Sequence, residues 1–396
     1  MTEAPATPVT LPTERSGLFD PPARLAELRE RHPVTRLQYP GGHVGWLVTS
    51  HAAARAVLTH PAFSARLELK RLPVGQPIDP EKAQPTPPGY FLAMDPPDHT
   101  RYRRLLAGRF TARRMRELET KIGDIIAETL DEMAKVGSPV DLVQHFALPV
   151  PSRVMCELLG VPYEDRAHFQ RISEALVGIE ADKVEQAFIE INTYMYQLVQ
   201  RKRAEPADDM LSELAAQTDL NDIELTSIGF LLLVAGHETS ANMLGTGTFA
   251  LLCAPDQLAK VRADPTVMPK AVDELLRYLS IGQFTTRTAV EDAEIEGQSI
   301  KAGEVVTVSV PAANRDPKQF ADPDKLDVTR SSAGHLSFGH GVHQCIGQGL
   351  ALIEMRLGFT ALFERFPTLS LAVPAEEVPM RADGQIYGVR RLPVSW

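Results

Sequence analysis

Read for the spacing of apolar and polar positions, the chain divides into a helical middle and two ends that carry extended segments. From about residue 101 to 252, apolar residues return every three to four positions, the period of a helix with one buried face. The spacing predicts helices over 101–110, 114–136, 143–159, 164–177, 184–205 and 223–252. The last of these spans roughly 45 Å at about 1.5 Å per residue. Further helices are predicted over 22–31, 51–60, 268–280 and 346–366. Apolar alternation predicts two strands around the Pro40-Gly41-Gly42 turn within 34–50, and short strands near 286–290, 294–296, 304–310 and after 366. Residues 70–97 hold eight prolines and no clear period, which reads as a long loop of the kind that carries function. The expected fold class is mainly α with minor β, in a single domain over 19–396 that follows a loose N-terminal arm over 1–18.

The longest predicted helix breaks its own pattern. The run "GFLLLVAGHETSANML", Gly229 to Leu244, sets an acid and two hydroxyls in the most apolar part of the chain. A buried carboxylate without partners costs several kcal/mol, so this face is either not core or has a task. His237-Glu238-Thr239-Ser240-Ala241 begins like the zinc-protease motif His-Glu-x-x-His, but Ala241 stands where the second His is required.

Composition narrows the classes. The 396 residues are 44% hydrophobic and 23% charged, as in ordinary globular proteins. A net charge of −10 argues against a nucleic-acid partner. No apolar run approaches the ~18 residues of a membrane span, and the N-terminus shows no signal-peptide core. Three scattered cysteines, Cys156, Cys253 and Cys345, make no disulfide framework. A cytoplasmic monomer without a membrane or nucleic-acid partner is expected.

Cys156 and Cys253 lie in plain helical pattern and read as small buried hydrophobes. Cys345 differs. It stands between a glycine-rich turn (Gly339, Gly341, Gly347) and a predicted helix start, where free N–H groups and the helix dipole stabilise a thiolate. Such a loop presents sulfur as a ligand. With His335, His340 and His343 it also makes a possible zinc set, although no second pair of ligands appears elsewhere.

The run from Phe338 to Gly347, "FGHGVHQCIG", resembles the haem-binding loop of the cytochromes P-450: Phe, two positions, Gly, one position, Arg or His, one position, Cys, one position, Gly. The resemblance implies that Cys345 is the thiolate ligand of the iron of haem b, in a loop bounded by Phe338 and Gly347, with His343 against a haem propionate. It implies the same propionate role for His99 and Arg103, spaced i, i+4 in "DPPDHTRYRRLL", and for Arg287, residues that alone read equally well as a solvated basic face. Glu274 and Arg277 at i, i+3 read on their own as a surface ion pair worth ~0.2–0.5 kcal/mol. The resemblance makes them the family's Glu-x-x-Arg pair, completed by Arg315 into a structural salt-bridge cluster.

The same resemblance answers the broken helix. Ala235 and Gly236 would let backbone approach the macrocycle and leave room for O2. Glu238 and Thr239 would be the acid–alcohol pair, with Thr239 holding bound dioxygen and Glu238 relaying protons. A small-molecule substrate would be lined by Phe91 and Leu92 of the 70–92 loop, by the 176–182 turn, and by Leu232, Phe284 and Ile386. Seven arginines and no acid lie between His99 and Arg116, a basic side suited to an acidic ferredoxin-type electron donor. No Gly-x-Gly-x-x-Gly is present, so electrons are expected from separate proteins. The implied activity is a monooxygenase acting on a mid-sized apolar natural product. A haem-thiolate sensor without turnover and a peroxide-driven or coupling oxidation are the alternatives.

Overall fold

The structure is a computed structural model, and its described residues are 7–75, 85–176, 181–381 and 384–396. Their helices are α1 (Ala23–Arg31), α2 (His51–Thr59), α3 (Asp98–Ala107), α4 (Ala112–Val136), α5 (Pro149–Leu159), α6 (Arg166–Leu176) and α7 (Ala181–Ala204). They continue with α8 (Met210–Gln217), α9 (Asp222–Cys253), α10 (Pro255–Ala263), α11 (Met268–Leu279), α12 (Val310–Asn314) and α13 (Gln348–Arg365). The longer strands are β1 (Val34–Gln38), β2 (Val44–Val48), β3 (Phe63–Ser64), β5 (Phe284–Ala289) and β8 (Val305–Ser309), with β4 (Val140–Asp141) between the third and fifth. A hairpin of β6 (Ala293–Ile295) and β7 (Gln298–Ile300) precedes β8, and β9 (Ser370–Leu371), β10 (Met380–Arg381), β11 (Gly388–Val389) and β12 (Pro393–Ser395) close the chain. The architecture is mainly α with minor β.

Helix α9 organises the rest. Asn221 caps its start by accepting from the Glu224 amide at 3.0 Å, and the Glu224 carboxylate accepts from the Asn221 amide at 2.8 Å, a reciprocal box. Its apolar residues point all round, as suits a helix enclosed by others. Helices α5, α7, α11 and α13 pack against it, and its Leu225, Ile228, Leu233 and Leu244 are fully buried. The five-stranded sheet runs β1-β2-β8-β5-β3, with β2 and β8 parallel and the other pairs antiparallel. It therefore joins the N-terminal hairpin to strands that follow α11.

The predicted 143–159 helix is interrupted. Residues Val143–Ala147 form a wide π-turn and α5 restarts at Pro149, because a proline lacks the N–H that a continuous helix needs but suits a first turn. Strands β3 and β7, two and three residues long, carry too few residues for a readable period, and the sequence reading also passed over α8 and α10. The N-terminal segment expected to be loose is tied down from Val9 onward. Val9 bonds both Arg36 O (3.0 Å) and the Gln38 amide (2.8 Å), adding backbone pairs to β1.

Candidate active site

Cys345 lies in the loop that leads into α13. Its amide donates to Phe338 O at 2.8 Å and the Gly339 amide to Leu336 O at 2.8 Å, closing a tight turn. Gly341 has φ +74°, and a Cβ there would stand 2.5 Å from Leu58 O, so only glycine lets the loop press onto α2. Unlike the buried Cys156, Cys345 is exposed. Burial pushes its pKa up, while the Gly347 and Gln348 amides and Arg103 pull it back toward the thiolate. Phe338 packs, partly buried, on the main core, and a Cβ at Gly347 would stand 3.9 Å from the sulfur.

Beside this loop the structure gathers basic groups. The His99 and His343 rings stand 4.2 Å apart, centroid to centroid. His99 is 2% exposed, and neither of its ring nitrogens has a partner. Burial lowers the His343 pKa to about 3, helped by Arg287, His99, Lys70 and Arg103. Burial also lowers His99 and Arg103, takes Arg287 to about 10 and takes Lys70 to about 8. Among the described residues, Arg287 bonds only neutral groups, Thr285 Oγ1 (3.1 Å) and Thr286 O (2.9 Å). The one acid that opposes these shifts, apart from the thiol itself, is Asp95, already engaged by Ser64 Oγ (2.6 Å) and the Ala65 amide (2.8 Å). Five basic groups with one shared acid, and a buried histidine with two idle nitrogens, fit a dianion such as the paired propionates of haem. Lys70 escaped the sequence reading because it sits in the proline-rich loop, where no spacing marks it.

The mid-helix of α9 supplies the other side. Ala235 and Thr239 are exposed while Leu233, His237 and Ser240 are buried, so one stripe of an otherwise enclosed helix opens to solvent. Thr239 Oγ1 donates to Ala235 O at 2.7 Å. Glu238 is ion-paired to Arg381 of β10. A Cβ at Gly236 would stand 2.8 Å from Met155 Sδ, so the small residue at 236 lets α9 pack closely on α5. His237 turns the same way, toward Leu148 O, and burial lowers its pKa to about 4. Ser240 donates to Glu354 of α13, a carboxyl that is 1% exposed and whose Oε1 has no partner. Burial raises Glu354 to about 7.

The Glu274–Arg277 pair is fully buried, with contacts of 2.8 and 2.9 Å. Arg315 does not complete it. It pairs with Asp324 at 3.0 Å and Asp20 at 3.7 Å and lies 3.9 Å over Tyr278. The third charge is Arg330, 3.1 Å from Glu274, supported by Ser332 Oγ at 2.6 Å and the Asp327 amide at 3.0 Å.

Of the expected substrate-facing residues, Phe284 and Ile386 are brought together by the Gly282–Ile386 bridge and by Gln385 Nε2 donating to Phe284 O at 3.0 Å. Phe91 is buried, with its ring 6.4 Å from that of His99; Leu92 is 46% exposed; Leu232 is buried in the main core. Residues 76–84 of the 70–92 loop and 177–180 of the 176–182 turn lie outside the described residues. The basic stretch is partly neutralised: Arg101 pairs with Glu224, Arg109 and Arg114 with Glu213, and Arg113 with Glu117. Among the described residues, no group of three His, Cys, Asp or Glu side chains could hold a metal ion, which removes the zinc set. No described helix is long and apolar enough to cross a membrane.

Comparison with known proteins agrees with this geometry. The sequence model of the family described as Cytochrome P450 matches residues 176–391. Cytochrome P450 105C1 of a Streptomyces species is 51% identical over 99% of both chains. Pentalenic acid synthase of Streptomyces avermitilis is 43% identical over 99% of this chain and 98% of its own. The crystal structure of CYP105P1 in complex with filipin I superposes with a TM-score of 0.92 at 44% identity, covering 98% of this chain and 99% of that one.

Proposed function

The chain belongs to the cytochrome P450 family, and on that premise we propose that it inserts one oxygen atom of O2 into a C–H or C=C bond of a mid-sized, largely apolar natural product. It is a P450 monooxygenase, an oxidoreductase whose relatives include enzymes of natural-product tailoring. Haem supplies the reductive activation of O2, and a thiolate ligand favours cleavage of the O–O bond.

In this reading each residue has a defined task. Cys345 provides the thiolate; the Gly347 and Gln348 amides and Arg103 favour the anion against a burial that raises the free thiol's pKa, and bonding to iron would complete the deprotonation. His99, Arg103, Arg287, His343 and Lys70 bind the propionates, whose two charges answer the excess of basic groups. Thr239 gives up its bond to Ala235 O and presents Oγ1 as a proton donor in the open stripe. Glu238 delivers protons to that hydroxyl from solvent, exchanging its ion pair with Arg381 for the hydroxyl. Ala235, exposed one turn before Thr239, puts only a methyl group on the open stripe there. Phe284 and Ile386 form one apolar wall for the substrate. A ferredoxin-type donor delivers electrons on the face that carries Arg104 and Arg116, the exposed arginines of the basic stretch for which no ion pair is seen among the described residues.

The observation that carries this reading is a cysteine sulfur facing two backbone N–H groups next to five basic side chains that share one acid. The test is spectroscopic. The reduced protein under carbon monoxide shows the red-shifted Soret band of thiolate-ligated haem, and Cys345→Ser abolishes it. Turnover under isotopically labelled O2 then places one labelled atom in the product. An unlabelled product, or imidazole-type ligation in the wild-type protein, refutes the proposal.

A further inference from the structure

The segment from Arg15 to Asp20 has no part in the chemistry above, yet it is fastened to both strands of the expected substrate wall. Arg15 donates to Asp20 O at 2.7 Å and to Gln283 Oε1, and its guanidinium lies 3.6 Å over the Tyr387 ring. The Tyr387 hydroxyl donates to Leu18 O at 2.8 Å. Gln283 directly precedes Phe284, and Tyr387 directly follows Ile386. The two segments also hold each other: the Gln283 amide donates to Gln385 O and the Tyr387 amide to Ile281 O, both at 2.8 Å. The Gln283 side-chain N–H groups are taken by Ser280 O (2.9 Å) and Ile281 O (3.2 Å), which leaves its Oε1 turned to Arg15.

The wall also has space next to it. A cavity of about 260 Å³ borders Arg15, Gln283, Phe284, Gly384 and Tyr387. A wall backed by close-packed side chains cannot retreat, but a wall backed by space can. Here Phe284 itself borders that space, and the fork and stack of one guanidinium beside it hold Gln283 and Tyr387, the neighbours of the two wall residues, in place. Arginine suits the position because its flat, five-donor head can stack and hydrogen-bond at once, which a lysine ammonium cannot.

We propose that Arg15 is a positioning residue that sets substrate size: through Gln283 and Tyr387 it holds Phe284 and Ile386 forward into the substrate site. The inference rests on the haem-monooxygenase reading and on those two residues lining the pocket. Removing Arg15 lets the wall fall back into the cavity, so bulky ligands gain relative to small ones while the cofactor site is untouched.

The holoenzyme, Arg15→Ala, Arg15→Lys and Tyr387→Phe are titrated with imidazole and with the triaryl imidazole clotrimazole, following the Soret shift, and their hydrogen exchange is mapped. Arg15→Ala is expected to keep its haem and its imidazole affinity, and to move the clotrimazole-to-imidazole affinity ratio at least tenfold toward clotrimazole. Exchange should quicken in 281–289 and 384–389 but not in 336–347. Arg15→Lys should behave like Arg15→Ala, and Tyr387→Phe, which keeps the stacked ring, should shift the ratio less. An affinity ratio within threefold of wild type, or one moved toward imidazole, overturns the inference. So does haem loss with faster exchange everywhere, which marks a merely structural residue. A wild-type protein without thiolate-haem bands sinks the premise instead; exchange still reads the linkage, and no local rise in Arg15→Ala then overturns the inference by itself.

Discussion

Glu238 of α9 is bound to Arg381 of β10, 143 positions later in the chain, so the acid set into the most apolar helix is neither solvated freely nor buried alone. The pair is about three-quarters covered on each side, with enough exposure left for the carboxylate to reach water. Glu238→Gln keeps the shape and removes the proton carrier. Its product formation is expected to fall about 10²-fold with an unchanged carbon monoxide spectrum. Full turnover in Glu238→Gln, measured with saturating electron donor, would falsify the relay.

Thr239 presents its hydroxyl on the open stripe while bonding back to Ala235 O. Thr239→Ala should bind haem and ligands normally but divert reducing equivalents into hydrogen peroxide. Thr239→Ser keeps a hydroxyl and should retain most of the coupling. Peroxide released per electron pair consumed is the measurement, and equal coupling in all three proteins removes the hydroxyl from the mechanism.

The Glu274–Arg277–Arg330 cluster makes a graded prediction. Arg277→Met strands a fully buried carboxylate and should cost about 3–5 kcal/mol, seen as a lower unfolding midpoint and loss of haem on desalting. Arg330→Gln also weakens the hold on Glu274 and should lower the midpoint less. Replacing Arg315 by Gln should leave the Glu274 environment intact, since that arginine answers to Asp324 and Asp20. A larger haem loss from Arg315→Gln than from Arg330→Gln would reverse the assignment.

Glu354 makes stability depend on pH in a defined direction. Burial raises its pKa to about 7, whereas the unfolded chain ionises in the ordinary carboxylate range near 4.3. The native state therefore holds a proton that the unfolded state has released. Stability contributed at this site is intact at acid pH, falls as pH rises from about 4.3 to about 7, and stays low above that, by roughly 3–4 kcal/mol in all. Glu354→Gln keeps an acceptor for Ser240 and cannot ionise. Urea unfolding of the two proteins at pH 5 and pH 8 should show the wild type losing stability relative to the variant. A constant difference between them at both pH values rules the effect out.

Steering by the basic face is read by salt. Arg104→Glu with Arg116→Glu should slow reduction by an acidic ferredoxin and flatten its ionic-strength dependence. Reduction by a small neutral reductant should be unaffected. An unchanged salt slope with ferredoxin contradicts the docking face.

What the sequence made legible was whatever its spacing or local motif encodes. The cysteine loop is read within ten positions, the His99–Arg103 pair lies one helical turn apart, and α9 shows as a long apolar run interrupted by one polar cluster. What stayed hidden were partners set by tertiary packing. Arg330 lies in an aperiodic Asp/Pro-rich stretch, and nothing local separates it from Arg315 as the third charge on Glu274. The tie from Arg381 to Glu238, and Lys70 among the basic groups, likewise arise only when distant segments meet. Gly236 shows the converse: its smallness was legible, but which neighbour required it was not, because a helix has two sides and the sequence does not say that Met155 occupies one.

The parallel pairing of β2 with β8 also sets a timetable for biosynthesis. Trp46 waits for Val306, 260 positions downstream, before its strand gains that neighbour. At a bacterial elongation rate of roughly 5–20 residues per second, the nascent hairpin of β1 and β2 stands beside the ribosome for some ten to fifty seconds with an open edge. The helical middle can collapse during that interval, so a slowed ribosome or scarce holdase chaperone should cost this protein yield through its first fifty residues rather than through its long helices.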